Sequence, residues 1–268
     1  MKSCAFEYVR PKDVSQAISL LKDENAKAAA GTQSLGPMLN LRIVQPALLV
    51  DLRHLEELKS VCEDKESVTL GACVTTANIE DGRLPGRGLQ TLSAVATHIA
   101  YRAVRNRGTI GGSLVHADPA ADWPSTLTLL GAVALIAGPR GRREVPVDKF
   151  ITGLFETVLA HDEILVALRI PKRSAAARFG YWKFCRKAGE FPQAIGAALH
   201  DPERNEFCAV IGATGSAPYV AVESKKIIGN AEKSVLLAAV DAAGLGRDAY
   251  NRQLHAVALR RAVEQLAA

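Results

Sequence analysis

The hydrophobic pattern of the chain changes at about Lys59. Before that residue, apolar side chains recur every three or four positions over 14–21, which predicts an amphipathic helix. Short apolar runs at 27–30 and 47–52 predict two strands. After Lys59, short apolar runs are paired around polar turns, which is the pattern of β-hairpins. The change predicts an α+β fold that begins with a small α/β unit over residues 1–58.

Two β-hairpins are predicted in the middle of the chain. One joins the runs 60–63 and 67–71, and the other joins 133–137 and 143–147. Between them, helical spacing predicts an amphipathic helix, and its apolar face consists of Leu89, Leu92, Val95, Ala96 and Ile99. These elements predict a second compact unit over residues 59–174.

A third unit is predicted over residues 175–268. It follows a linker-like stretch at 171–177 and contains strand patterns at 178–185, 193–200 and 206–213. The tail has a helical pattern, and its apolar face consists of Leu254, Ala258, Ala262 and Leu266. We therefore expect a smaller α+β domain with a three-stranded antiparallel sheet and helices.

Composition excludes several classes of protein. The net charge of +5 comes from scattered Lys and Arg residues without interleaved aromatics, so no nucleic-acid site is predicted. The five cysteines include no C-x-x-C pair, so the chain encodes neither a zinc site nor an iron–sulfur site. No apolar stretch reaches membrane-spanning length, and the start has no signal-peptide core. We expect a cytoplasmic protein without a membrane span.

Two segments of small residues carry most of the chemical information. They are Ala30, Gly31, Thr32, Gln33 and Ser34 in the first segment, and Thr109, Ile110, Gly111, Gly112 and Ser113 in the second. Each follows a strand-like stretch, and glycines let a backbone turn direct several N–H groups at one ligand. One glycine pair alone is more often an ordinary turn. Two such segments together predict a clamp for a diphosphate, although the Walker A and G-x-G-x-x-G patterns are absent.

Two aspartates follow the second segment. Asp118 and Asp122 are placed either to accept hydrogen bonds from the hydroxyls of a ribose or ribityl chain, or to cap a helix. Asp118 is followed by Pro119, and this pair predicts that a helix begins there.

Residues 30–42, Ala-Gly-Thr-Gln-Ser-Leu-Gly-Pro-Met-Leu-Asn-Leu-Arg, and 49–52, Leu-Val-Asp-Leu, resemble the first FAD segment of a known family. This family is the flavoprotein (medium) subunit of molybdenum hydroxylases, which includes the carbon monoxide dehydrogenase medium subunit and the FAD domain of xanthine dehydrogenase. Residues 105–122 resemble its second FAD segment. The resemblance covers essentially the whole chain. It implies a two-subdomain FAD-binding domain of the PCMH type, followed by a smaller C-terminal domain.

The resemblance also implies which residues contact a non-covalent FAD. Both small-residue segments match, with Leu35 added to the first, and Asp122 matches an aspartate on the ribityl chain. Leu165 matches a strand position that touches the cofactor, and Ile99 matches an apolar position in the wall of the site. Lys183 matches a lysine near the isoalloxazine. The alternative is that Lys183 is an ordinary exposed lysine of a strand. Asp118 is included because of its spacing alone. No catalytic residue or metal ligand is predicted in this chain.

Thr32 departs from the family pattern, which more commonly has a second glycine at this position. Because β-branched residues disfavour positive φ, we expect either a conventional backbone at Thr32 or a weakened affinity for FAD. We also expect its hydroxyl to act as an added donor.

The resemblance implies a division of work between chains. A large subunit with molybdopterin oxidises the substrate, two [2Fe–2S] clusters on a small subunit carry the electrons, and FAD on this chain passes them to an external acceptor. It further implies a heterohexamer of two heterotrimers. Two alternatives stay open, namely a self-contained FAD-dependent oxidase and a non-enzymatic scaffold that docks partners.

The flavin is predicted to be held without a covalent bond, because neither segment contains a matching histidine–cysteine pair. Acid precipitation of the purified yellow protein should therefore release all flavin into the supernatant. Flavin colour that stays with the precipitate would contradict this prediction.

Overall fold

The computed structural model describes residues 2–83 and 90–267. Its strands are β1 (Glu7–Val9), β2 (Ala26–Ala29), β3 (Leu48–Asp51), β4 (Val61–Glu63), β5 (Ser67–Gly71), β6 (Val133–Gly138), β7 (Gly141–Pro146), β8 (Ile151–Gly153), β9 (Glu156–Thr157), β10 (Ile164–Pro171), β11 (Arg178–Phe184), β12 (Ala194–Asp201), β13 (Glu206–Gly212) and β14 (Tyr219–Val220). Its helices are α1 (Val14–Leu20), α2 (Leu35–Asn40), α3 (Thr76–Glu80), α4 (Gln90–Ala96), α5 (Arg102–Arg105), α6 (Ile110–His116), α7 (Asp122–Leu129), α8 (Ser224–Gly229), α9 (Lys233–Ala242) and α10 (Ala249–Glu264). Within these two ranges, no helix has the length and apolar character needed to cross a membrane.

A parallel three-stranded sheet with the order β1-β3-β2 forms the start of the chain. The predicted helix and both predicted strands are confirmed as α1, β2 and β3. Asp13 caps α1, and its carboxylate accepts a hydrogen bond from the Gln16 N–H at 2.7 Å. Strand β1 was not predicted, because three residues are too few to show a period. The carboxyl end of β2 leads directly into the first small-residue segment.

An antiparallel five-stranded sheet with the order β4-β5-β10-β6-β7 follows. Both predicted hairpins are confirmed, since β4 pairs with β5 and β6 pairs with β7. Strand β10 lies at the centre, and most of its residues are buried because neighbouring strands and packed layers cover it.

The predicted helix over 89–99 is shorter in the structure. Helix α4 begins at Gln90 and ends at Ala96, so Ile99 lies beyond it. Leu89, which was predicted on its apolar face, lies outside the described residues. Leu92, Val95 and Ala96 are buried in the core as expected.

Helix α7 is buried on all sides. Each of its eight residues is buried, and its Trp123 belongs to one hydrophobic cluster with Leu70 of β5 and Ala197 of β12. The helix is buried on every face because it lies between the two sheets, although half of its residues are polar. Strand pairing stays within the three predicted units, whereas the apolar core continues past residue 174. The domain boundaries themselves stay a prediction.

The C-terminal sheet has the order β11-β12-β13-β14 and is antiparallel. Its first three strands are the predicted ones, and β14 adds a short fourth strand of two residues. Helix α10 packs across β11 and β12 at very short range. A Cβ atom on Gly196 would lie 2.4 Å from the Ala258 carbonyl oxygen, so only glycine allows this contact.

The variant Gly196→Ala should therefore destabilise the protein by about 2 kcal/mol or more, because the α10 backbone must move to make room. Urea unfolding measures the free energy. Gly229→Ala is the matched control, because a Cβ atom there meets nothing within 4 Å. A Gly196→Ala protein as stable as the control would contradict the close packing of α10.

Candidate functional site

A cavity of about 360 Å³ is lined by residues from all three predicted units. The sequence-predicted site residues that line it are Ala30, Gly31, Thr32, Gln33, Ser34, Leu35, Ile99, Thr109, Gly111, Gly112, Ser113, Asp118, Asp122 and Leu165. Two predicted residues do not line it. Ile110 is fully buried in the core, and Lys183 lies behind the wall, bonded to Asp122.

The backbone of the first small-residue segment packs closely against the residues that immediately precede the second segment. A Cβ atom on Gly31 would lie 2.2 Å from the Arg107 carbonyl oxygen, just before the second segment. A Cβ atom on Gly111 would lie 2.4 Å from the Cβ atom of Ala72. These glycines are thus required by close packing, which brings both segments to one cavity.

The second segment differs from the predicted turn after a strand. Helix α5 precedes it, and Thr109 caps α6, so the two glycines lie in the first turn of a helix. The N–H groups of 110–113 already have acceptors within the protein: Val74 O, Ala72 O, Thr109 Oγ1 and Thr109 O, respectively. The expectation of a row of free donors is therefore wrong for this segment.

The first segment does offer free donors. Within residues 2–83 and 90–267, the N–H groups of 31–35 donate to no protein acceptor. The hydroxyls of Thr32 and Ser34 have no hydrogen-bond partner in the same described part of the chain. Successive N–H groups and hydroxyls around one cavity are a donor set that suits a diphosphate. The residues present thus fit this part of FAD.

Thr32 has a φ of 58°, in the left-handed region. The expectation of a conventional backbone is therefore wrong. The chain must turn sharply between the end of β2 and the start of α2, and this tertiary requirement overrides the local preference of a β-branched residue. Thr32 accordingly holds conformational strain at the edge of the cavity.

The predicted helix start at Asp118 and Pro119 is also wrong. Helix α7 begins at Asp122, and the Asp118 carboxylate instead accepts a hydrogen bond from the Ala120 N–H at 2.9 Å. Asp118 thus closes a local turn that lines the cavity, because an aspartate can bond to the backbone two residues ahead.

Asp122 is the centre of a buried polar cluster. It is 6% exposed, and its Oδ1 atom accepts hydrogen bonds from the Tyr181 hydroxyl at 2.6 Å and the Lys183 ammonium at 2.7 Å. Burial, and then the charge of Asp122, raise the pKa of Tyr181 well above its usual range, so this phenol stays a donor. The second carboxylate oxygen, Oδ2, has no bond to any described residue. It is available to a hydroxyl in the cavity.

The sequence did not identify Tyr181 as a partner of Asp122. Tyr181 and Lys183 are two positions apart on β11, so they face the same side, and this alternation was the available signal. Many further residues that line the cavity were also missed, among them Arg105 and Cys73. Burial raises the pKa of the Cys73 thiol to about 12, so it is a neutral part of the wall. In the described ranges, no group of His, Cys, Asp and Glu could hold a metal ion.

Comparison with known proteins identifies relatives over the full chain. Residues 4–173 match the model of the FAD binding domain in molybdopterin dehydrogenase. The nicotine 6-hydroxylase medium subunit of Paenarthrobacter nicotinovorans is 35% identical over 81% of this chain and 76% of its own. The carbon monoxide dehydrogenase medium chain of Hydrogenophaga pseudoflava is 34% identical over 89% and 85%. A chain of reconstituted CO dehydrogenase from Oligotropha carboxidovorans superposes with a TM-score of 0.91 at 30% identity, covering 99% of both chains.

Replacing Thr32 with Gly should stabilise the protein by about 1 kcal/mol, because glycine tolerates a positive φ. FAD affinity should not increase, since the variant loses a hydroxyl donor. Arg42→Gly is the control for the backbone effect alone, because Arg42 also has a positive φ, 57°, but does not line the cavity. Urea unfolding and FAD titration measure both effects. A Thr32→Gly protein that is less stable, or that binds FAD far more tightly, would contradict this account.

Proposed function

The chain belongs to the FAD-binding medium subunits of the molybdenum hydroxylase family, and we propose that it is the electron-transfer subunit of such a complex. It would accept electrons from the [2Fe–2S] clusters of a partner subunit and pass them to an external acceptor. One observation carries this proposal. The free N–H groups of 31–35 and the paired carboxylate of Asp122 belong to residues that line the same cavity.

The residues of the cavity divide the binding of FAD between them. The N–H groups of 31–35 would hold the diphosphate, because concave rows of N–H donors carry partial positive charge. The free Oδ2 atom of Asp122 would accept a hydrogen bond from a ribityl hydroxyl. Leu165 is buried on β10, Ile99 is half-buried after α4, and both line the cavity, where they would provide apolar contact for the ring system.

Lys183 would act through Asp122. Its ammonium group donates to the buried carboxylate at 2.7 Å and balances a negative charge that would be costly to bury alone. FAD, when bound, supplies chemistry that takes up electrons as a pair and releases them singly. The protein residues contribute position and electrostatics, and none of them is assigned a proton-transfer step.

The proposed partners are a large subunit with molybdopterin and a small subunit with [2Fe–2S] clusters, arranged as two heterotrimers. The relatives support this, because they are named medium subunit and medium chain, which implies a larger and a smaller chain in those proteins. The substrate would be selected on the large subunit.

The test begins with the purified chain and counts bound FAD from its absorption spectrum after acid release. The chain is then mixed, without oxygen, with a desalted small subunit whose clusters have been reduced. We expect one FAD per chain and loss of the flavin absorption on mixing. A chain without FAD would overturn the binding assignment and favour the scaffold. FAD that the reduced small subunit fails to bleach would overturn electron transfer between the chains. Bleaching by a small organic substrate without any partner would favour the self-contained oxidase.

A further inference from the structure

The segment 98–101, between α4 and α5, forms part of the cavity wall. Ile99 and Ala100 line the cavity, and Ala100 has a φ of 43°. A residue with a side chain disfavours this left-handed backbone. Surrounding interactions must therefore hold the segment in place.

Two cations hold three successive carbonyl groups of this segment. The Nη1 atom of Arg105 donates to Ile99 O at 2.8 Å and to Ala100 O at 3.0 Å. The Nζ atom of Lys183 donates to His98 O at 2.8 Å. Hydrogen bonds from charged donors are stronger than those from neutral ones. Together they fix the direction of three consecutive peptide groups.

Glu80 in turn fixes the guanidinium of Arg105. The Nε and Nη2 atoms of Arg105 each donate to one carboxylate oxygen of Glu80, both at 2.8 Å. The Arg105 and Glu80 side chains are only 11% and 15% exposed. The hydrogen bond from Arg105 is the main reason that the pKa of Glu80 lies below its usual value. This paired geometry leaves Nη1 free for the two carbonyls, and the pair carries little net charge.

The opposite side of the same peptide groups offers two free donors. In a trans peptide the N–H points away from the C=O, so the N–H groups of Ala100 and Tyr101 point away from Arg105. Neither N–H has an acceptor among residues 2–83 and 90–267. Of these two residues, Ala100 lines the cavity, whereas Tyr101 is exposed. Backbone N–H groups in protein walls are seldom left unpaired, so the acceptor of the Ala100 N–H is to be sought in the cavity.

We propose that Arg105 is a positioning residue of this cavity, which holds the Ile99 carbonyl and so fixes the same peptide group's Ala100 N–H to donate to the ring system of bound FAD. The inference rests on the proposed function. Donors at the ring stabilise the negative charge that it gains on reduction, so the position of Arg105 sets the reduction potential of the flavin as well as its affinity.

The test compares Arg105→Gln and Arg105→Lys with the wild-type chain. Lysine keeps the charge but has no planar fork, so it cannot hold Glu80 and both carbonyls together. Both variants should bind FAD about tenfold more weakly. At saturating FAD, both should show a more negative midpoint potential in spectroelectrochemical titration. A merely structural role would lower the stability in urea without moving the potential.

Arg102→Gln is the matched control. Arg102 bonds to the same Glu80 and to Asp81, yet it does not touch the carbonyls or line the cavity. It should leave both FAD affinity and potential unchanged. Wild-type affinity and potential in Arg105→Gln, or their recovery in Arg105→Lys, would overturn the inference alone. A wild-type chain that binds no FAD would overturn the proposed function and this inference with it.

Discussion

A buried carboxylate at the start of a buried helix organises the cavity. Asp122 begins α7, whose residues are all buried, and a charge in such surroundings is costly unless it is paired and hydrogen-bonded. Both partners, Tyr181 and Lys183, come from β11 of the C-terminal sheet. The C-terminal sheet therefore supplies the side-chain partners that this buried carboxylate needs. Lys183 also donates to the carbonyl of His98, next to the lining residue Ile99.

The two small-residue segments look alike in sequence but do different physical work. In the second segment, Gly111 lets α6 pack against Ala72, and the N–H groups of 110–113 are used within the protein. In the first segment, Gly31 allows contact with the Arg107 backbone, and the N–H groups of 31–35 stay free. One segment thus builds the wall, and the other supplies the donors. A third arrangement is found at Arg105. Its guanidinium donates to the carbonyl oxygens of Ile99 and Ala100 and so orients their peptide groups.

Prediction from sequence succeeded where a pattern was long enough or residue types were specific. Helix α1, both hairpins and the three main C-terminal strands follow from hydrophobic period and turn residues. The likeness of 105–122 to a known family identified the cofactor. Prediction failed where tertiary contacts decide. The proline after Asp118 signals a helix start, yet packing places the start at Asp122. Strand β1 exists because it pairs with β3, a partner distant in the chain.

The sequence by itself determined the class of fold, the identity of the cofactor and the two segments that line the cavity, because these depend on local residue types. Only the tertiary structure decided which backbone donors are free, that Thr32 adopts a positive φ, and that Asp122 is paired from another sheet. Hydrogen-bond partners separated by tens of residues leave no local trace in a single sequence. The folded protein needs these distant pairings because the groups are buried. Water cannot reach a buried polar group to replace a missing hydrogen-bond partner.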